Sequence, residues 1–238
     1  MPFRLSRGVG FLMLAALVAP LALAGDAVAG AVRGRLSGQE KLFPDVYAEA
    51  AKPDSHRYTW REPSPTVRPD FFKLTANPSR DICIGAFTSG NNAAHEPILI
   101  RVTGGHTIPT TIVITPGTRL SFENRDPFVH RLFAVGNDQW GAQDLTTSAH
   151  REWTAANAGV YEFRDQLFPS VRTYVVVDPQ VSEVAYPGAQ GAFGMNLGDG
   201  EYTLKAFFQG KQVGRAVNVT VKGRPIDLKD PFNVGEGG

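Results

Sequence analysis

The sequence predicts an all-β protein, and three observations carry that prediction. Apolar residues recur with a period of two along nearly every patterned stretch. The apolar runs are short and rich in Val, Ile, Phe and Tyr. Gly and Pro, 25 and 17 residues, are spread along the chain as punctuation between those runs. No stretch carries the three-and-four spacing of a helix of standard length.

The first element is not part of the fold. Arg4 and Arg7 precede an apolar run from Val9 to Leu23, interrupted by Gly10 and Pro20. Small residues follow at cleavage spacing, Ala22-Leu23-Ala24 and Ala27-Val28-Ala29. Residues 1–24 are therefore assigned as a cleaved signal peptide. The run is short for a membrane anchor, and Pro20 and the small-residue pattern favour removal. No Cys stands near the cleavage point to take a lipid. A periplasmic or secreted protein is expected, with no membrane span after cleavage.

Residues 31–66 hold AVRGRLSGQ and DVYAEA, which alternate like edge or half-buried strands. AKPDSHRYTWREPSPTVRPD, with Pro53, Pro63, Pro65 and Pro69, reads as a linker or surface crossing, because Pro lacks the amide a central strand needs. Tyr58 and Trp60 mark one short strand inside it. Residues 70–179 carry most of the strands: ILIRVTG, TTIVITPG, TRLSFEN, VHRLFAV, HREWTAA, GVYEFRD and VRTYVVV. GHTIPTTIV and FTSGNNAAHEP have loop composition. Trp153 reads as a core strand residue, and Trp140, in GNDQWGAQ, as a loop residue free to face a ligand. Residues 180–222 hold GAFGMNL, GEYTLKAFF and GRAVNVTVK, with a turn at Gly198-Asp199-Gly200 and with Tyr202, Leu204, Ala206 and Phe208 on one face. The tail, residues 223–238, is expected to be loose.

Composition excludes some classes. Lys and Arg number 24 against 23 Asp and Glu, and no basic patch stands out, so nucleic acid is not an expected partner. Cys83, in DICIGAF, is the sole cysteine; it cannot form an internal disulfide and reads as a buried strand residue. There is no G-x-S-x-G, no P-loop and no G-x-G-x-x-G before a helix, so no enzyme activity is expected.

Two separated segments carry a resemblance. TPGTRLSFENRDPFVHRLFAV has a Pro-Gly turn (Pro116, Gly117), a strand of the form F-x-N-x-D (Phe122, Asn124, Asp126) and a histidine soon after, His130. GVYEFRDQLFPSVRTYVVV has Gly159, Tyr161 and Phe163, a short loop, and a closing strand. In this order the segments resemble the ligand regions of the cupredoxins. The resemblance implies a Greek-key β-sandwich over residues 70–179. It also implies a degenerate ligand loop: Asp165 stands where the family has its copper-binding Cys, Phe168 where it has the second His, and Val171 where it has Met. GRLSGQEKLFPDVYAEA, with Pro44 and Val46, and LGDGEYTLKAFFQGK, with Gly200, Tyr202 and Leu204, resemble a carboxypeptidase-regulatory-like (transthyretin-like) module. That likeness implies a smaller immunoglobulin- or transthyretin-like sandwich shared by the two ends of the chain.

A blue-copper site needs a thiolate, two imidazoles and a weak axial ligand. Only His130 of that set remains, so neither a cofactor nor a metal is expected. The alternative is copper or zinc at His130 and Asp165, in a metal-binding or electron-transfer protein. His56, His95, His106 and His150 have no ligand spacing among themselves. Phe128, Leu167, Phe168 and Pro169 are then expected either to plug the vacated end or to form a docking surface for another exported or envelope protein. On the plug reading His130 is a remnant bonded to backbone. Phe168→Ala then costs about 3–5 kcal/mol, and His130→Ala about 1 kcal/mol.

Overall fold

The computed structural model describes residues 30–43 and 74–235. The signal peptide, the DVYAEA strand, and the Pro-rich segment with His56, Tyr58 and Trp60 fall outside the described residues. In chain order come β1 (Gly30–Ser37), helix α1 (Pro78–Asp81), β2 (Ile82–Phe87), β3 (Ile98–Thr103), β4 (His106–Ile108), β5 (Thr111–Ile114) and β6 (Arg119–Asn124). Then follow β7 (His130–Ala134), β8 (Gln143–Leu145), β9 (His150–Thr154), β10 (Gly159–Asp165) and β11 (Arg172–Val177). The last are β12 (Val181–Ala185), β13 (Ala192–Leu197), β14 (Gly200–Phe208), β15 (Lys211–Val221), β16 (Ile226–Asp227) and β17 (Phe232–Asn233). No helix among the described residues is long and apolar enough to cross a membrane.

Two β-sandwiches result. In the first, a sheet ordered β5-β11-β10-β7-β8 faces a sheet ordered β4-β3-β6-β9. Strands β3 and β6 run parallel, as do β5 and β11, so the chain crosses between sheets in the Greek-key manner. The core follows from the period of two. On β6, Leu120, Phe122 and Asn124 point inward; on β10, Phe163 and Asp165 do. Phe163 is the hub, its ring 4.9 Å from those of Phe122 and Trp140 and 5.2 Å from Trp153. Trp153 is thus a core strand residue. Trp140 is a core residue as well, at the end of a 3₁₀ turn, contrary to the ligand-facing role read from its Gly-flanked loop. It is buried, its Nε1 donates to the Glu152 carbonyl at 2.9 Å, and the Arg151 guanidinium lies 3.5 Å from its ring centroid. An indole offers a large apolar face and a single donor, and both are used here.

In the second sandwich, a sheet ordered β12-β2-β14-β15 faces β1, which pairs antiparallel with β13 and parallel with β16 and β17. Between them lie Val32, Leu36, Ile82, Ile84, Phe193, Met195, Leu197, Leu204, Phe208 and Phe232. Strands from both ends of the chain therefore share one core. The residue 70 boundary drawn from the sequence needs correcting, because β2 pairs with β12 and β14 and belongs to this second unit. The tail also needs correcting. Its described residues, 223–235, are not loose: β16 and β17 lie against β1, and Phe232 and Val234 are buried. A Cβ on Gly214 would collide with the Asn233 carbonyl, so glycine there admits the tail strand. GHTIPTTIV, expected as loop at its start, contributes β4 and β5.

The sandwiches are joined by three strands buried on both faces. On β2, Ile82, Ile84 and Ala86 enter the second core while Cys83 and Phe87 turn the other way. On β5, Ile112 and Ile114 enter the first core and Val113 does not; on β11, Val175 and Val177 do and Val176 does not. Cys83, Phe87, Val113, Val176, Val181 and Phe207 form a third cluster between the two. The uninterrupted apolar runs ICIGAF, IVI and YVVV follow from this, since a strand covered on both sides needs no polar alternation.

Candidate functional site

The loop β6–β7 and the loop β10–β11 meet at one end of the first sandwich. Asn124, buried at the end of β6, shapes the first of them. Its Nδ2 donates to the carbonyls of Phe128 and Leu145, each at 2.8 Å, and its Oδ1 accepts the Asp126 N–H at 2.8 Å. This Asx turn places Asp126 beneath the loop, where its Oδ1 accepts the Gly104 N–H at 2.8 Å.

His130 opens β7 and has no exposed surface. Its Nδ1 lies 2.6 Å from Asp165 Oδ2, and its Nε2 lies 3.1 Å from Asp126 Oδ2. Asp165, buried at the end of β10, also starts the second loop: its Oδ1 accepts the N–H groups of Arg131 at 3.2 Å, Leu167 at 2.7 Å and Phe168 at 3.1 Å. Both ring nitrogens thus face carboxylates. Only an imidazolium, with two N–H donors, satisfies two ionised carboxylates at once. His130 is not the backbone-bonded remnant expected from the sequence; it bridges Asp126 and Asp165. Burial works against the charge of Asp126, but the N–H of Gly104, the His130 ring, the N–H of Gly105 and the charge on His130 outweigh it. Its carboxyl is held below the ordinary aspartate value.

Over this triad lie two phenyl rings. Phe128 and Phe168 are 4.7 Å apart between centroids, and each is close to the His130 ring, at 5.2 and 5.0 Å. The apolar plug is partial. Val171 is buried and Phe168 is half-buried, but Phe128 is 40% exposed, Leu167 is 45% exposed and Pro169 is exposed. Phe128, Val129 and Leu167 therefore show an apolar surface beside the loops.

These donors do not fit a copper–thiolate centre. Cys83, the only thiol, lies in the junction between the sandwiches, not among the loops. A cation held by a nitrogen and an oxygen at about 2.0–2.2 Å in tetrahedral geometry spreads them to about 3.4 Å. The 2.6 Å contact of His130 with Asp165 leaves no such space. Among the described residues no group of three or more His, Cys, Asp or Glu is arranged to hold a metal ion. Of the other described histidines, His106 Nδ1 contacts the Gly104 carbonyl and His150 Nδ1 lies by Ser121, while the backbone N–H of His95 bonds Thr115 and Thr118 and its ring Nε2 is buried without a hydrogen-bond partner among the described residues.

Sequence reasoning named His130 and Asp165 but missed Asp126 as their third member. The signal was present: Asp126 stands four residues before His130, within the same F-x-N-x-D stretch.

No family model and no curated protein matches the chain. Among solved structures the chain is similar to a reduced amicyanin variant, at 17% identity and a TM-score of 0.32, over 40% of this chain and 99% of that one. It is similar to a purple cupredoxin from Nitrosopumilus maritimus, at 19% identity and a TM-score of 0.29, over 34% of this chain and 99% of that one. It is similar as well to amicyanin from Paracoccus versutus, at 14% identity and a TM-score of 0.31, over 40% of this chain and 97% of that one.

Proposed function

We propose that this is an exported, non-catalytic binding or structural module in which an ion triad closes the loop end that a cupredoxin would give to copper. The observation that supports it most is the 2.6 Å contact between His130 Nδ1 and Asp165 Oδ2 at a site with no exposed surface. On the resemblance read from the sequence, Asp165 occupies the thiolate position. A carboxylate is a hard donor and cannot supply the covalency of a Cu–thiolate bond, but it pairs well with an imidazolium. The triad then does by charge what the metal would do by coordination: it ties the two loops together. The second sandwich is read as the carboxypeptidase-regulatory-like module. The rim formed by Phe128, Leu167, Phe168 and Pro169 is the surface offered to another exported or envelope protein.

The test is metal analysis of the purified protein and an absorption spectrum after Cu²⁺ addition. No intense visible band is expected. A blue colour that disappears in Cys83→Ser overturns the reading. A rise in melting temperature with Zn²⁺ or Cu²⁺ that is lost in His130→Ala would instead favour a metal-binding protein using His130 with the two carboxylates.

A further inference from the structure

Between the sandwiches, on the side of the β3–β4 turn, lies a cleft of about 470 Å³. Both units line it. The first contributes His106, Ser170, Arg172 and Tyr174; the second contributes Gln209 and, from α1, Arg80. Its hydrogen-bonding capacity is unbalanced. Asp81, the one carboxylate in the lining, is fully engaged: Arg80 Nε and Nη2 reach its two oxygens at 2.7 and 3.0 Å, and the Asn77 N–H bonds it at 2.9 Å. Among the described residues Arg80 Nη1 has no partner.

Arg172 is less engaged still. Its Nε donates to the Pro169 carbonyl at 3.2 Å. Among the described residues its nearest carboxylate is Glu162, at 4.0 Å, and Glu162 already receives two bonds from Arg164, at 2.7 and 2.9 Å. Among the described residues the cleft therefore holds surplus guanidinium donors and no spare carboxylate. Gln209, also in the lining, sits in the two-residue turn between β14 and β15, which calls for its positive φ. It has φ +50°, uncommon for a residue with a Cβ, and its N–H is fixed by Thr111 Oγ1 at 3.0 Å.

We propose that this cleft binds a small ligand bearing an oxyanion, a phosphate or a carboxylate, with Arg172 as its principal anchor. A guanidinium presents a planar fork of donors matched to such groups, and ligand sites form preferentially where two units meet. The site uses none of Asp126, His130 or Asp165, so it stands or falls separately from the reading of the loop end.

Titration calorimetry of the exported chain at pH 7 and low ionic strength, with inorganic phosphate and with citrate in separate runs, tests this. Saturable one-to-one binding of at least one anion is expected, with sodium chloride at matched ionic strength giving none. Phosphate alone identifies a phosphate ligand, and citrate alone a carboxylate ligand. Arg172→Gln should bind at least tenfold more weakly with an unchanged melting temperature, because Arg172 is exposed; Tyr174→Phe should bind several-fold more weakly. Arg131→Gln, a surface arginine outside the cleft, should bind as the parent does. Absence of saturable binding to either anion, or undiminished affinity in Arg172→Gln, overturns the proposal.

Discussion

Asp165 holds His130 at 2.6 Å and, through its other oxygen, caps the three backbone N–H groups of Arg131, Leu167 and Phe168. One carboxylate thus fixes both the ring and the loop that covers it. That relationship reverses the order of importance drawn from the sequence, in which Phe168 was the structural residue and His130 a remnant.

His130→Ala is now expected to be the more damaging change. It leaves Asp126 and Asp165 buried with no cation between them, and breaking a buried pair by removing one partner costs about 3–5 kcal/mol. Phe168 is only half-buried, so Phe168→Ala forfeits about half of a full Phe burial, about 1.5–2.5 kcal/mol. Urea denaturation of the two variants gives the comparison; a greater loss in Phe168→Ala refutes the ion-triad account.

Acid should attack the same point. The Asp126 carboxyl sits below its unfolded value of about 3.9. Its stabilising contribution is therefore complete above that value and is lost as pH falls through the lower, folded one. Melting temperature should be level from pH 7 to 5 and drop below about pH 4. Asp126→Asn should melt lower at pH 7 and show a shallower acid loss. An unaltered acid limb in that variant contradicts the assignment.

Cys83 should be inert in the native protein. Burial pushes its thiol up to about 12, although the Val113 backbone and the Tyr186 side chain pull the other way. At pH 8 a thiol reagent should label it only at the rate of unfolding. A thiol raised above its unfolded value of about 8.5 withdraws stability as pH climbs from there towards 12, so Cys83→Ala should soften the alkaline loss. Rapid labelling without denaturant would place the thiol at an accessible site instead.

The docked tail can be tested by Phe232→Ala. Phe232 is 2% exposed and packs edge-on against Phe193, with ring centroids 6.5 Å apart. The expected cost is about 3–5 kcal/mol. Chemical denaturation that shows a change within about 0.5 kcal/mol, as for a surface residue, would mean the tail does not contribute.

Much of the fold was legible because it rests on local pattern. The strands of the first sandwich follow alternation bounded by turn residues, and ICIGAF reads as fully buried because no polar residue interrupts it. What escaped rests on partners distant in sequence. VSEVA, the strand β12, carries Ser182 and Glu183 and looks polar until β2 supplies its ladder. Residues 226–227 and 232–233 are too short to signal strands without β1 beside them. Trp140 was misread because its neighbours Asn137 and Gly141 mark a turn, and a turn says nothing of the Phe122–Phe163 pocket it fills. The triad was half legible. Comparison with metal ligands drew attention to donors that were missing, not to charges that complement one another.

The pairing of β1 with β13 sets an order of assembly. Val32 emerges early in synthesis, yet its partner Met195 lies near the other end of the chain, after the whole first sandwich has been made. The first sandwich draws its ladders from residues 98–177, so its closures are shorter and entropically cheaper. It can form while Val113 and Val176 still face water, awaiting Cys83, Phe87 and Phe207. In that interval the nascent chain shows an apolar flank that the finished molecule hides, and this is the stage most exposed to aggregation. Pulse-labelled exchange during refolding should accordingly protect the Phe163 amide before that of Val32.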